Sequence, residues 1–174
     1  MSGHSKWSTI KHQKAIEDSK RSSVFTKIAK KIHIAVKKGG SGDVESNSYL
    51  RACIDEARSV NMPMDNIKRA IDKALGANDG TSAEEVVYEA YGPLGVGILI
   101  TAVTDNRNRT AGEVKNSLEK HGAKLGGPGS VSYLKHLSPM PTIEVSVDDK
   151  TKILNLLGIL SELEDVIDVW SNLA

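Results

Sequence analysis

Basic side chains suited to contacting phosphates are concentrated in the first 38 residues. This segment holds ten Lys or Arg side chains against Glu17 and Asp18, a net charge of +8, whereas the whole chain carries only +1 and the remaining residues therefore carry −7. Each Lys or Arg placed on a phosphate releases condensed counterions, and Trp and His side chains can stack on bases. We expect the segment to bind nucleic acid through His4, Lys6, Trp7, Lys11, His12, Lys14, Lys20, Arg21, Lys27, Lys30 and Lys31. The alternative is a charged tail that is merely solvated.

A second candidate site lies in the polar segment 104–110, which leads directly into a predicted helix. Arg107 and Arg109 beside a helix N-terminus could hold a phosphate, because free backbone N–H groups and guanidinium groups both favour anions. Alternatively, Asp105, Asn106 and Asn108 cap the helix and pair with these arginines. The sequence leaves both interpretations open.

Nothing in the chain indicates catalysis. The five histidines show neither the spacing of a metal pair nor a nearby nucleophile, and no pair of carboxylates stands out. The glycine-rich segment 126–129 lacks the Gly-Lys-Ser/Thr ending of a triphosphate-binding loop, so a plain turn is expected. Cys53 is the only cysteine and is expected in the core. We predict a binding protein without cofactor, metal or small-molecule substrate.

The compartment is predicted from what the sequence lacks. A single cysteine allows no internal disulfide, which suits a reducing environment. No apolar run approaches the roughly 18 residues of a membrane span. The N-terminal segment is rich in Lys rather than Arg and contains acidic residues, so it is interpreted as part of the mature protein. We expect a cytoplasmic protein, without membrane contact, that acts as a monomer.

Hydrophobic periodicity predicts a helical first half. Residues 1–22 are weakly periodic and are expected to form a flexible basic arm. Residues 23–76 are expected to form a three-helix bundle, with helices from Ser22 or Ser23 to Lys38, from a cap at Asn47, and from Pro63 to Gly76. The last two helices allow a helix-turn-helix interpretation, but exposed aspartates on the third helix argue against base-specific contacts. Residues 77–80 are rich in turn formers and are the predicted boundary.

The second half has mixed periodicity. Strands are predicted at 86–91, 96–103, 130–135, 143–147 and 166–170. One helix is expected after a capping box formed by Thr110 and Glu113, and another after a cap at Asp148 or Asp149. The order β-β-α-β-β-α-β over residues 81–174 predicts a mixed or antiparallel sheet with two helices on one face. The fold class is therefore α+β.

Several segments of the chain are typical of one family. They are GHSKW at 3–7, VFTKIAKKI at 24–32, LRACIDEARSVNMPMDNIKRAI at 50–71, YEAYGPLGVGILI at 88–100, TDNRNRTAGEV at 104–114, GSVSYL at 129–134 and VIDVWSN at 166–172. On these segments the chain resembles the YebC/PmpR family over nearly its whole length.

The resemblance implies a helical N-terminal domain and two α/β domains, the third inserted into the second. Most of the inserted domain is expected to be absent here, near residues 136–141. The family is described chiefly as DNA-binding transcriptional regulators, and also as translation factors that act on the ribosome and relieve stalling. A Lys-, His- and Trp-bearing arm suits irregular RNA, so a ribosome- or rRNA-associated translation factor is expected, with a DNA-binding regulator as the alternative.

Overall fold

The chain forms two compact units, Met1–Ala77 and Asn78–Ala174. The computed structural model describes the backbone of residues 3–76 and 83–174, and side chains for residues 14–76 and 83–174. The first unit is α-helical and the second contains both helices and a sheet, as the hydrophobic periodicity predicts. The α+β fold class is therefore confirmed.

The first unit is built from three helices. They are α1 (Gly3–Gly39), α2 (Ser48–Ser59) and α3 (Met64–Gly76). The predicted start of the first helix at Ser22 or Ser23 is wrong, since α1 is already helical at Gly3. No Pro and no further Gly interrupts residues 4–38, and extending a formed helix avoids the cost of nucleation. The basic arm is thus the first half of α1, and its flexibility stays a prediction.

A buried aliphatic core holds the three helices together. Its fully buried members include Ile28 and Ile32 of α1, Leu50 of α2 and Ile67 of α3. Asn47 caps α2 as predicted, because its Oδ1 accepts from the backbone N–H of Leu50 at 3.0 Å. Its Nδ2 also donates to the carbonyl of Ala35 in α1 at 2.8 Å. This one buried amide therefore fixes the end of α1 against the start of α2.

The second unit is a four-stranded antiparallel sheet with helices on one face. Its strands are β1 (Glu84–Tyr91), β2 (Gly97–Thr104), β3 (Lys124–Leu125) and β4 (Val166–Ser171), in the order β3-β1-β2-β4. The helices are α4 (Arg107–Lys120) and α5 (Val147–Glu162). Side chains from both helices and from alternate positions of β1 and β2 share one core.

The element order of this unit is β-β-α-β-α-β, so the predicted pair of strands between the helices is wrong. The segment predicted as a strand at 130–135 instead contains a 3-10 helix, Ser132–His136. Its backbone N–H groups cannot complete a ladder, because those of Val131 and Ser132 are bound by the carboxylate of Glu89. The real strand, β3, is too short for its alternation to be recognised.

The predicted strand at 143–147 reduces to one isolated bridge between Ile143 and Leu173. Val147 already belongs to α5, and Ser146 is its N-cap, accepting from the N–H of Asp149. The predicted cap at Asp148 or Asp149 is therefore displaced by two or three residues. Ser is as good an N-cap as Asp, which is why the sequence did not separate them.

The other face of the sheet is partly covered by the segment around residues 129–134. Glu89 of β1 is 8% exposed there. Its carboxylate accepts backbone N–H groups of Gly129 at 2.6 Å, Val131 at 2.5 Å and Ser132 at 2.9 Å. Burial raises the pKa of Glu89, but these hydrogen bonds outweigh burial and hold it below its ordinary value. One ionised carboxylate therefore fastens this segment to the sheet.

Candidate nucleic-acid interface

The exposed cations of α1 are the first component of the candidate interface. Lys14, Lys20 and Arg21 are exposed on a stretch of α1 whose residues 14–24 are all exposed. Within the part of the chain that the structure describes, none of these three side chains makes a hydrogen bond or an ion pair with the protein. Their charges are therefore available to an outside anion. The side chains of His4, Lys6, Trp7, Lys11 and His12 lie outside the described residues.

Cations nearer the bundle are less available. Lys31 is only 18% exposed, and its Nζ lies 2.7 and 3.0 Å from the carboxylate oxygens of Glu56 in α2. Lys27 and Lys30 are partly buried. Lys31 thus contributes to the contact between α1 and α2, and its predicted role in nucleic-acid binding stays a prediction.

An open groove of about 500 Å³ runs between α1 and α3. Arg21 and Phe25 line it from α1, and Arg69 and Lys73 line it from α3. Asp18 and Arg21 of the groove lie on the same face of α1 as Lys14, because residues four and seven positions apart align along a helix. Lys14 is one turn before Asp18 and two turns before Arg21. The groove therefore continues the exposed cations of α1 into the bundle.

The α3 residues of this groove were not predicted as site residues. The sequence showed Arg69 and Lys73 on an exposed face whose charges are nearly balanced by Asp65 and Asp72. Asp65 and Asp72, however, do not line the groove. The angle at which α1 and α3 cross decides which cations of α3 face the groove. A local sequence pattern does not determine that angle.

Arg107 lies at the start of α4 in the second unit. Its side chain is 63% exposed and forms an ion pair with Glu84 of β1. The phenol of Tyr88 also donates to the backbone carbonyl of Arg107, at 3.4 Å. Burial raises the pKa of Tyr88, so the phenol stays protonated and can act as a donor. Arg107 is thus paired at the surface.

Arg109 is bound more tightly to its own protein. Its Nη2 donates to Asp165 Oδ2 at 2.8 Å and to Asp105 Oδ1 at 3.0 Å. Asp165 is only 7% exposed, and its Oδ2 also accepts the hydroxyl of Thr110 at 2.7 Å. The hydrogen bond to Asp165, and then that to Asp105, raise the pKa of Arg109 above its usual range.

The start of α4 is capped by Asn106, whose Oδ1 accepts the N–H of Arg109 at 3.1 Å. The predicted capping box of Thr110 and Glu113 is therefore wrong, because the helix begins at Arg107 and the Thr110 hydroxyl is taken by Asp165. Two parts of the alternative interpretation, in which the polar residues cap the helix and pair with the arginines, are present. They are the Asn106 cap and the pairing of Asp105 with Arg109. A phosphate at Arg109 would have to compete with a buried carboxylate.

The thiol of Cys53 is 2% exposed, as the core prediction requires. Burial raises its pKa to about 11, so it is protonated at neutral pH. Among the side chains that the structure describes, no group of three or more His, Cys, Asp or Glu is arranged to hold a metal ion. None of the helices within the described ranges is long and apolar enough to cross a membrane.

Comparison with known proteins identifies the chain. Residues 5–77 match the TACO1/YebC protein N-terminal domain, and residues 83–134 match the TACO1/YebC second and third domain. A probable transcriptional regulatory protein of Roseiflexus castenholzii is 48% identical over 170 residues, covering 95% of this chain and 66% of that protein. A probable transcriptional regulatory protein of Borrelia hermsii is 49% identical over 173 residues, covering 99% of this chain and 70% of that protein.

The chain thus combines a helical unit, whose first helix is cationic, with an antiparallel α+β unit. Its relatives are named as probable transcriptional regulatory proteins. The chain belongs to the TACO1/YebC family. It spans about two thirds of the length of the relatives that it matches. The absence of most of an inserted domain near residues 136–141 stays a prediction.

A solved structure agrees with this fold. The crystal structure of a conserved hypothetical protein from Aquifex aeolicus matches with a TM-score of 0.77 and 30% sequence identity, covering 90% of this chain and 91% of that one. The match supports the α+β architecture beyond the range of residues 5–134.

Proposed function

We propose that this protein is a non-enzymatic regulator of gene expression that binds ribosomal RNA and assists translation at stalled ribosomes. The observation that carries the proposal is the row of exposed cations on α1. Within the described residues, Lys14, Lys20 and Arg21 make no hydrogen bond or ion pair with the protein, so their charge is left for a polyanion. Such binding requires no cofactor and no small-molecule substrate, and we place it in the cytoplasm, with the protein acting as a monomer.

The polarity of the chain supports a defined orientation on RNA. Its first 38 residues carry +8 and the rest carries −7. Phosphates attract the first segment and repel the second, so the protein meets RNA with α1 foremost. Irregular RNA suits this helix because it offers phosphates and unstacked bases together.

The test is co-sedimentation of the protein with ribosomes at about 0.15 M salt, where attraction beyond roughly 8 Å is screened. We expect pelleting that persists when random duplex DNA is added as competitor. A variant with Lys20→Glu and Arg21→Glu should lose it. The matched control is Lys120→Glu with Lys124→Glu, an equal change of net charge on exposed positions of the second unit. Equal loss in both variants would show that net charge alone, and not α1, governs the binding.

A second candidate function is DNA-binding transcriptional regulation. The names of the relatives from Roseiflexus castenholzii and Borrelia hermsii favour it. Against it, α3 carries Asp65 and Asp72 on its exposed face, which would meet phosphates if the helix entered a major groove. A DNA-binding regulator should prefer its operator to random duplex at fixed salt by roughly 10³-fold or more. That ratio, together with duplex DNA removing the protein from ribosomes, would favour this candidate.

A further inference from the structure

The groove between α1 and α3 combines an apolar wall with a cationic rim. Its apolar wall includes Phe25 and Ala29 of α1, Met62 of the α2–α3 turn and Ala70 of α3. Phe25 is the only phenylalanine in the chain. It is partly exposed, and so are the two alanines. An aromatic side chain at the edge of an open apolar wall is the usual platform on which a nucleobase stacks.

The rim of the groove is cationic. Arg21 and Lys73 face it from opposite helices, and neither makes a hydrogen bond or an ion pair with any described part of the protein. Arg69 also lines the groove, and its Nη2 donates to Asn66 Oδ1 at 2.7 Å. This hydrogen bond orients the guanidinium without neutralising it. Asp18 is the only acid in the lining, so the net charge of the groove is +2.

We infer that this groove binds one unpaired nucleotide of an RNA strand, with its base against the Phe25 wall and its phosphates on Arg21, Arg69 and Lys73. The volume of about 500 Å³ is within the range of about 300–1,000 Å³ for small-ligand sites. A paired base cannot enter such a groove without leaving its stack, so the site selects single-stranded loops and bulges over duplexes. The inference rests on the proposed function and adds the location at which the protein holds a base.

Charge complementarity distinguishes this occupant from an apolar peptide. An apolar peptide helix would cover the apolar wall but place no opposite charge against the three cations on the rim. A nucleotide satisfies both parts together, because its base is flat and apolar on its faces and its phosphates accept the guanidinium fork. The exposed cations Lys14 and Lys20 then carry the strand along α1 beyond the groove.

The experiment uses the full chain and an oligouridine of about ten nucleotides that contains 4-thiouridine, a length typical of single-strand sites. Irradiation cross-links the thio-base to side chains it touches, and mass spectrometry of the digest locates them. We expect cross-links on the peptides that contain Phe25 and Met62. Cross-links confined to residues outside the groove would overturn the inference, and so would equal cross-linking of the groove by duplex DNA that contains 4-thiothymidine.

Salt-dependent binding of the same oligouridine provides an independent measurement. Lys73→Ala should reduce the slope of log K against log salt by roughly 0.7, the contribution of one phosphate on a single strand. The matched control is Lys68→Ala, another exposed lysine of the same helix, which does not line the groove. The slope for this variant should not change. Asp18→Asn should strengthen binding, because it removes the one opposing charge.

The outcomes separate the two proposals. Equal effects of Lys73→Ala and Lys68→Ala, with oligouridine still bound, would overturn the groove and leave α1 as the nucleic-acid site. Absence of any binding to oligouridine and to ribosomes would overturn both. Phe25→Leu gives a second check on the base, since loss of a stacking platform costs roughly fivefold or more in affinity, whereas an unchanged affinity in the folded variant would contradict base stacking there.

Discussion

Replacing Glu89 by Gln tests how the segment around residues 129–134 is held on the sheet. The carboxylate of Glu89 accepts three backbone N–H groups at 2.5–2.9 Å and is 8% exposed. Gln keeps the size but offers one oxygen, and its NH₂ group would face N–H donors. At least one buried donor then loses its acceptor.

The expected loss of stability follows from these bonds. Hydrogen bonds to a charged group contribute about 1.5–3 kcal/mol each, and leaving a buried donor unsatisfied costs about 1–3 kcal/mol. We therefore expect Glu89→Gln to lower the free energy of unfolding of the second unit by about 2–4 kcal/mol. For a unit of this size, each kcal/mol corresponds to roughly 4–8 °C in Tm.

The assay is urea unfolding followed by circular dichroism, with hydrogen exchange of the Val131 and Ser132 amides as a local probe. The control is Glu113→Gln in α4, an exposed glutamate with no described partner, which should be within about 0.5 kcal/mol of the natural protein. Equal stability of the two variants, or unchanged exchange at both amides, would refute the account of Glu89 as a fastener.

The same substitution changes the dependence of stability on pH. Because the pKa of Glu89 is lowered in the folded protein, its contribution is fully present above the ordinary value of 4.5. That contribution is lost as the pH falls below 4.5 through the lowered pKa. Glu89→Gln should therefore flatten the acid limb of the stability curve, and a limb identical to that of the natural protein would contradict the lowered pKa.

Further substitutions test the α4 network and the packing. Arg109→Ala should lower the free energy of unfolding more than Arg107→Ala does, because it leaves the buried Asp165 carboxylate short of a donor. Arg107→Ala should cost about 1 kcal/mol or less, as loss of an exposed ion pair does. Denaturant titration of both variants measures the difference, and equal losses would contradict it. Gly97→Ala should lower the free energy of unfolding by about 1–3 kcal/mol by overpacking, since its Cβ would lie 2.8 Å from Val131 Cγ1 and 3.0 Å from Leu134 Cδ1. An unchanged Tm would show that these two side chains move aside without cost. Cys53, with a pKa of about 11, should resist a thiol reagent at pH 8 until urea unfolds the protein, and rapid labelling in the native state would refute its burial.

The elements with strong periodicity were predictable. The buried face of α2 and the short apolar runs of β1, β2 and β4 are properties of contiguous residues, and Asn47 is a cap that local sequence can identify. The start of α1 was not predictable from its own apolar pattern, because residues 3–22 lack one. What makes them helical is the absence of a breaker after Gly3 together with the packed helix that follows.

The strand errors have a different cause. Residues 130–135 have the composition of a strand, but the N–H groups of Val131 and Ser132 are bound by Glu89, which is 42 and 43 positions earlier in the chain. The same holds for the start of α4, where Asp165 takes the Thr110 hydroxyl from a distance of 55 residues. A local motif cannot show that its donor is already used elsewhere.

The candidate interface was predictable only in part, because some of its features are local in the sequence and others depend on packing. A charge excess in one segment is visible in the sequence, and Lys14, Lys20 and Arg21 are exposed as expected. That Lys31 pairs with Glu56, and that Arg69 and Lys73 face Phe25 across a groove, depends on how α1 lies against α2 and α3. Those residue pairs are 25 to 48 positions apart in the sequence.

The length of α1 has a consequence for the thermodynamics of any association. At 1.5 Å per residue, its 37 residues extend about 55 Å. Among the α1 side chains that the structure describes, residues 14–24 are exposed and core contacts begin near Phe25. A helix that lacks tertiary support is marginal in water, and repulsion among its lysines weakens it further. A bound polyanion removes that repulsion and so stabilises the helix as well as attracting it. Heat-capacity and enthalpy changes measured on binding would then include the stabilisation of this exposed part of α1 together with the contact itself.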